Sequence, residues 1–331
     1  MGPGVQLLSS GDNTTMSVRI GLALGGWPFD ANDCAPFWDF VDQAEALGYD
    51  SLWLSDRLIS TSPIVEPVTG LAAIAGRTRK LKFGMSVLVL PLRNPAIVAK
   101  EIATIDFLSG GRMLPAFGIG TEDPREYEAA GVAKEERGGR TDEAVAILRR
   151  LWSEEHVTHR GRYYQMTDVT IAPRPAQRIL PIWFGGRSEA AYRRIGRSGD
   201  GWLASFLTTE EFADGAERIR ANAAAAGRDI DEDHYGVILS VTIATSVEQA
   251  RQLAAPTLRR FRPDVDIERL SIFGTPDDCS ARIEEYLRAG ASKFVLRPAC
   301  PPDQLSAQLD IIAREIAPRF DRTMATVGAT S

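Results

Sequence analysis

The residues whose types and spacing speak most directly for chemistry are Gly185-Gly186-Arg187-Ser188. They follow the apolar run Ile182–Phe184 and precede a helical pattern that opens at Glu189. Paired glycines let a backbone come close to an anion, and a helix start offers unpaired N–H groups at the positive end of its dipole. Arg187 adds charge, and Ser188 either caps the helix or donates a hydrogen bond. The pattern fits a phosphate cradle; the bland alternative is a glycine turn with a serine cap. Asp56 and Arg57 follow a short strand pattern, where Asp56 suits a hydrogen bond from a substrate or ring, or a cap on its own loop. Glu122 follows the Gly118-Ile119-Gly120-Thr121 stretch and reads as an acid facing a substrate or as a solvated loop carboxylate. Trp27 reads as a pocket wall or a rim cover. Glu101 and Asp106 read as structural ion-pair partners of Arg112.

Absences narrow the chemistry. The histidines are His156, His159 and His234, none at the C-terminal end of an expected strand, which disfavours a metal hydrolase; no metal site is expected. The lysines Lys80, Lys82, Lys100, Lys134 and Lys293 are also away from such ends, which disfavours Schiff-base chemistry. There is no GxSxG elbow and no Walker loop. A chain with so little reactivity of its own most simply borrows it from an organic cofactor.

The elements that must position these residues alternate along the chain. Strands are predicted at Val18–Leu24, Ser51–Leu54, Leu81–Leu88, Arg112–Ile119, Ile182–Phe184, Gly201–Ser205, Tyr235–Ala244 and Lys293–Arg297. Helices are predicted at Ala35–Leu47, Val65–Gly76, from Pro95 with Asn94 as cap, at Glu135–Leu151, and at Asp303–Ile316. Gly161, between two short β-like runs, predicts a hairpin over His156–Gln165 outside the repeat. Eight strands each followed by a helix predict an α/β fold, a (β/α)8 TIM barrel with loop insertions, over residues 18–331 as one domain. In that architecture the strand C-termini carry the site. Residues 1–17 are expected to be a disordered arm.

The chain has 331 residues, a net charge of −6, 44% hydrophobic and 25% charged residues. That balance argues against a nucleic-acid partner, and no apolar run reaches the roughly 20 residues of a membrane span. Cys34, Cys279 and Cys300 are too scattered for a disulfide framework and read as free thiols in a reducing cytoplasm.

Several segments resemble the luciferase-like monooxygenase family in order and spacing. They are GYDSLWLSD (Gly48–Asp56), LPLRNPAIVAKEIATIDFLSGGR (Leu90–Arg112), FGIGT (Phe117–Thr121), ERGGRTDEAVAILRRLW (Glu136–Trp152), RGRYYQMTDVTIAPRPAQ (Arg160–Gln177), PIWFGG (Pro181–Gly186), GDGW (Gly199–Trp202) and FGTPDDC (Phe273–Cys279). The resemblance implies a barrel that holds a flavin-type ring in its C-terminal mouth. The phosphate would lie near Gly185, Gly186, Arg187 and Ser188, and the ring near Asp56, Ser86, Val87, Gly118 and Gly120. A non-proline cis peptide bond would fall at Ser86–Val87. Glu122, Arg57 and Trp27 would face the substrate.

The SLWLSD segment resembles the branch that uses the deazaflavin coenzyme F420, and the resemblance implies hydride transfer to or from a small organic molecule. The alternatives are a monooxygenase using reduced FMN from a separate flavin reductase, and a non-catalytic flavin-binding barrel. Many relatives of the F420 branch carry His directly after the Asp. This chain carries Arg57, which stays protonated and cannot serve readily as a base, so it is expected to clamp an anionic substrate or the cofactor tail. Specificity is expected in the loops after the first and fourth strands and in the hairpin. The resemblance also implies a homodimer; the helices at Val65–Gly76 and after Pro95 read either as its face or as ordinary barrel packing.

Overall fold

The computed structural model describes residues 18–24, 27–30, 32–258 and 262–320. The expected arm over residues 1–17, and Gly25 and Gly26 after the first strand, lie outside them. The strands are β1 (Arg19–Leu24), β2 (Ser51–Leu54), β3 (Lys82–Met85), β4 (Leu88–Val89), β5 (Met113–Leu114), β6 (Ala116–Gly118), β7 (Val157–Arg160), β8 (Gln165–Val169), β9 (Trp183–Phe184), β10 (Gly201–Ser205), β11 (Tyr235–Ile243), β12 (Ser271–Gly274) and β13 (Lys293–Pro298). Between them lie α1 (Ala35–Ala46), α2 (Pro67–Arg77), α3 (Pro95–Ser109), α4 (Pro124–Ala129), α5 (Arg137–Ser153), α6 (Glu189–Ser198), α7 (Thr209–Ala225), α8 (Val247–Ala254) and α9 (Pro276–Arg288), and α10 (Leu305–Ile311) follows β13.

Parallel pairing runs β3–β2–β1–β13–β11–β10–β9–β6. β3 also pairs with β5, and β4 with β6, so the sheet closes on itself as a (β/α)8 barrel. The predicted third strand is two pieces, β3 and β4, parted at Ser86–Val87, where the peptide bond is cis. The predicted fourth strand is likewise β5 and β6, parted at Pro115, which has no N–H to give a ladder. β12 was not foreseen. It pairs with the second half of β11, on the edge where β10 pairs with the first half. The box formed by Thr275 and Asp278 then starts α9. The hairpin β7–β8 is antiparallel, and Glu143 of α5 pins it by accepting from His159 Nε2 and from the backbone N–H groups of Tyr163 and Tyr164. Arg112 pairs with neither Glu101 nor Asp106; it donates to Thr78 Oγ1 and to the carbonyls of Ala75, Thr78 and Leu81.

Period-two alternation sorts the strands into two cores. Leu22, Leu52, Phe117, Trp202, Val237 and Leu296 face outward into the layer shared with the helices. Their neighbours Ala23, Trp53, Ala116, Trp183, Leu203, Ile238 and Val295 form a separate cluster that plugs the lumen. Below the plug the buried Lys293 reaches Asp50 and lies 5.6 Å from the Trp53 ring. Burial pushes the Asp50 carboxyl up, but Lys293 more than offsets this and holds it at about 2; burial dominates at Lys293 and brings it down to about 8. The partners thus register the pair with opposite balance, and both are ionised at neutral pH.

Candidate active site

Two residues above the plug, the same lumen-facing positions carry Ser55, Ser86, Gly118, Gly185, Ser205, Ser240 and Arg297, all bordering one cavity of about 630 Å³. Large side chains seal the middle of the barrel, and at the next level small ones replace them at every named position except Arg297. The cavity follows from that change of size. Its volume suits a flavin-sized ligand.

Of the residues singled out in the sequence, Trp27, Asp56, Arg57, Ser86, Val87, Gly118, Gly120, Gly185, Gly186 and Ser188 border this cavity. Glu122 and Arg187 do not. Glu122 has a side chain 78% exposed and pairs with Lys134 and Arg137. Hydrogen bonds from those two residues hold its carboxyl at about 2. It therefore holds no proton to give at neutral pH. Arg187 turns toward the end of β10 and donates to the Phe206 carbonyl at 3.1 Å. Burial, then the nearby Arg262, lowers its pKa.

Each cavity residue has a defined local role. A Cβ on Gly118 would stand 2.5 Å from Val87 Cγ2, and one on Gly185 would stand 3.1 Å from Val87 Cγ1. Val87 thus fills the space both glycines leave free. The Gly185 N–H is committed to the Phe117 carbonyl at 2.9 Å, and Trp202 Nε1 holds the Gly186 carbonyl at 2.9 Å. Gly186 has φ +113°, a conformation an L side chain rarely adopts. Ser188 caps α6 by accepting from the Ala191 N–H at 3.3 Å. The first turn of α6 then presents its free N–H groups beside the cavity.

Asp56 accepts from the Val89 N–H at 2.9 Å and from Arg93 at 3.0 Å, which ties β4 down just after Ser86–Val87. Burial raises its pKa, opposed by Arg93 and the Val89 N–H. Arg57 donates through Nε to Glu126 at 2.9 Å. Glu126 itself is buried, and it also accepts from Thr121 Oγ1 at 3.1 Å. Trp27 stacks on Phe37 with ring centroids 5.4 Å apart and donates to the Asp30 carbonyl. The buried Ser86 Oγ has no hydrogen-bond partner.

Sequence reading places Arg297 at the end of the last strand without giving it a role, and it passes over Ser240, Ser271, Arg194 and Glu126. Arg297 and Ser240 were findable, because each lies two residues beyond a plug residue on the same strand. The loops after β1 and β6 do reach the cavity through Trp27, Pro28 and Thr121, but no residue of the β7–β8 hairpin does. The segments 256–258 and 297–302 stand there instead. Asp231, Asp233 and His234 bring three possible metal-ligating atoms together. They sit just before β11, at the opposite end of the barrel from the cavity. His234 Nδ1 is already engaged with the Asp200 carbonyl.

The profile of the family described as luciferase-like monooxygenase matches residues 15–264. An F420-dependent glucose-6-phosphate dehydrogenase of Kineococcus radiotolerans is 28% identical over 330 residues, covering 88% of this chain and 96% of that protein. Among solved structures, a monooxygenase from Streptomyces bottropensis superposes with a TM-score of 0.80 at 24% identity, covering 91% of this chain and 99% of its own. The coenzyme F420-dependent tetrahydromethanopterin reductase of Methanopyrus kandleri superposes with a TM-score of 0.76 at 20% identity, covering 92% and 99%.

Proposed function

This chain belongs to the luciferase-like monooxygenase family, and from that premise we propose that it is an oxidoreductase exchanging a hydride between coenzyme F420 and a small organic substrate. One observation carries the reading: the α6 start at Gly186–Ser188 and the Ser86–Val87 bulge border the same cavity. An anionic tail and a planar ring need those two features at once. The curated relatives named F420-dependent glucose-6-phosphate dehydrogenases support the deazaflavin over FMN.

The residues present fit such a group. The Ser86 hydroxyl is buried without a partner, Val87 packs into the space that Gly118 and Gly185 leave, and the backbone at Gly186, where a Cβ would meet Ala191, lies close against the α6 start. When bound, the deazaflavin supplies a carbon that gives or takes a hydride. The chain supplies the rest. Val87 and Ser86 form the surface against which a ring is pressed, and Asp56 fixes that surface through Val89 and Arg93. Trp27 and Arg57 border the open side, where a substrate enters. The plug of Trp53, Trp183 and Ile238 closes the lumen below and keeps water from that side.

The proposed working form is a homodimer, with the exposed Ile97 and Leu108 of α3, three turns apart, in the shared face. Among the described residues no helix is long and apolar enough to cross a membrane.

The test is anaerobic mixing with oxidised and reduced F420 across a panel of alcohols, acids and enones, followed through the deazaflavin's visible absorbance. Substrate-dependent bleaching or recovery is expected. Oxygen uptake with reduced FMN, and none of these changes with F420, would instead identify a monooxygenase served by a reductase.

A further inference from the structure

Among the described residues three arginines line the cavity, and they differ in what they already hold. Arg57 is paired with Glu126 and Arg194 with Asp142. Arg297 has neither a hydrogen bond nor an ion pair for its side chain among the described residues, and its Nε is sealed from solvent. Alternation along β13 explains its direction: Lys293, Val295 and Arg297 share the lumen face, at the base, the plug and the cavity floor. A half-buried guanidinium whose Nε is sealed without a partner is costly, so its position calls for an anion that arrives from outside the chain.

Its neighbours complete a receptor. In register, Ser240 of β11 stands beside Ser271 of β12 on one side and Arg297 of β13 on the other. The three form a row across adjacent strands, all bordering the cavity. The Ser271 hydroxyl is likewise buried without a partner. Around the row the wall is apolar, with Ile267, Leu270, Pro298, Ala299 and Leu305. No lysine borders the cavity among the described residues, and Asp56, the acid there, is already satisfied by Arg93. Among the described residues the site therefore has one positive charge to neutralise. Arg297 stands three strands round the barrel from the Gly185–Gly186 turn, through β10 and β11, so the row is separate from the phosphate end.

We propose that the substrate is a monocarboxylate with an apolar body, its carboxylate held by Arg297 with Ser240 and Ser271. The planar guanidinium fork matches a carboxylate. A phosphate ester such as glucose 6-phosphate brings close to two charges to a row that holds one cation. This assignment rests on the F420 reading for the reaction, while the anion site stands on Arg297 alone.

Calorimetric titration tests it with 3-phenylpropionate, its neutral amide and glucose 6-phosphate as probes, on F420-loaded and cofactor-free protein. The acid should bind about 10- to 150-fold more tightly than the amide, the range set by charge-assisted hydrogen bonds. Arg297→Gln should erase that preference, Arg297→Lys should keep part of it, and both should bind F420 like the wild type. Cofactor-free Arg297→Gln should melt no lower than the wild type, since a half-buried unpaired charge is removed. Equal binding of acid and amide, tighter binding of glucose 6-phosphate, or a parallel loss of F420 affinity in Arg297→Gln would each overturn the proposal. If F420 fails to bind the wild type, the cofactor reading falls, and the acid–amide comparison on the cofactor-free protein still decides the anion site.

Discussion

Gly118→Ala is the perturbation whose cost the geometry specifies best. The added methyl would lie 2.5 Å from Val87 Cγ2, about 1 Å inside ordinary carbon–carbon contact. Val87 is β-branched and stiff about χ1. Turning about χ1 would take it out of its preferred rotamer. The clash must therefore strain the Val87 side chain or move the backbone at Ser86–Val87, which forms one side of the cavity floor. Overpacking of this kind costs about 1–3 kcal/mol. Urea denaturation should show that loss as a lowered midpoint, and F420 affinity should fall with it. Val87→Ala removes the obstructing methyl groups, so the double variant should recover most of the stability lost in Gly118→Ala, a coupling of about 1 kcal/mol or more. Gly76→Ala is the matched control. Gly76 lies near the end of α2 with nothing within 4 Å of an added Cβ, so it should stabilise by about 0.5–1 kcal/mol. If Gly118→Ala is as stable as the wild type, or if Val87→Ala fails to rescue it, the packing account of the floor is wrong.

Other consequences can be checked independently. Asp56→Ala strands the buried Val89 N–H and leaves the Arg93 guanidinium with Glu66 as its carboxylate partner, so it should cost about 1–3 kcal/mol and loosen β4, read by denaturation and by faster amide exchange at Val89. Glu122→Gln acts outside the cavity at an exposed ion pair, so turnover should stay within about twofold; a much larger loss in steady-state rate would return Glu122 to the chemistry. Asp50 has a folded pKa of about 2 against an ordinary 3.8, so its stabilisation is complete above pH 4 and is lost as pH falls from about 4 toward 2, a change of about 2 kcal/mol. Lys293→Met should cost about 3–5 kcal/mol by leaving Asp50 buried without that partner, and should move the acid limb of a stability–pH profile upward. Sedimentation should give twice the chain mass, and Leu108→Asp should shift it toward the monomer.

Much of this architecture was legible because its signals are local. Period-two runs located every barrel strand, and Asn94, Gly185–Gly186 and Ser188 marked helix starts that the structure contains. Ser86–Val87 and Gly118 were reachable through resemblance. What was not legible depends on partners far apart in the chain. Glu122 follows a strand end as an acid should, yet Lys134 and Arg137, 12 and 15 residues on, draw it outward. Arg187 sits beside two glycines that face the cavity, but the turn at Gly186 sends its side chain the other way. β12 was passed over because its four residues pair with only half of a long neighbour. Arg297 could have been found by carrying the alternation of β13 one step past Val295, since a charge on the lumen face two residues above an apolar plug must face the mouth.

Equilibrium titration of the purified protein with F420 and, separately, with FMN tests the central claim most directly. The account predicts saturable F420 binding that weakens when Gly186 is replaced by Val, with FMN bound far more weakly. Tight FMN binding with no measurable affinity for F420 would contradict it.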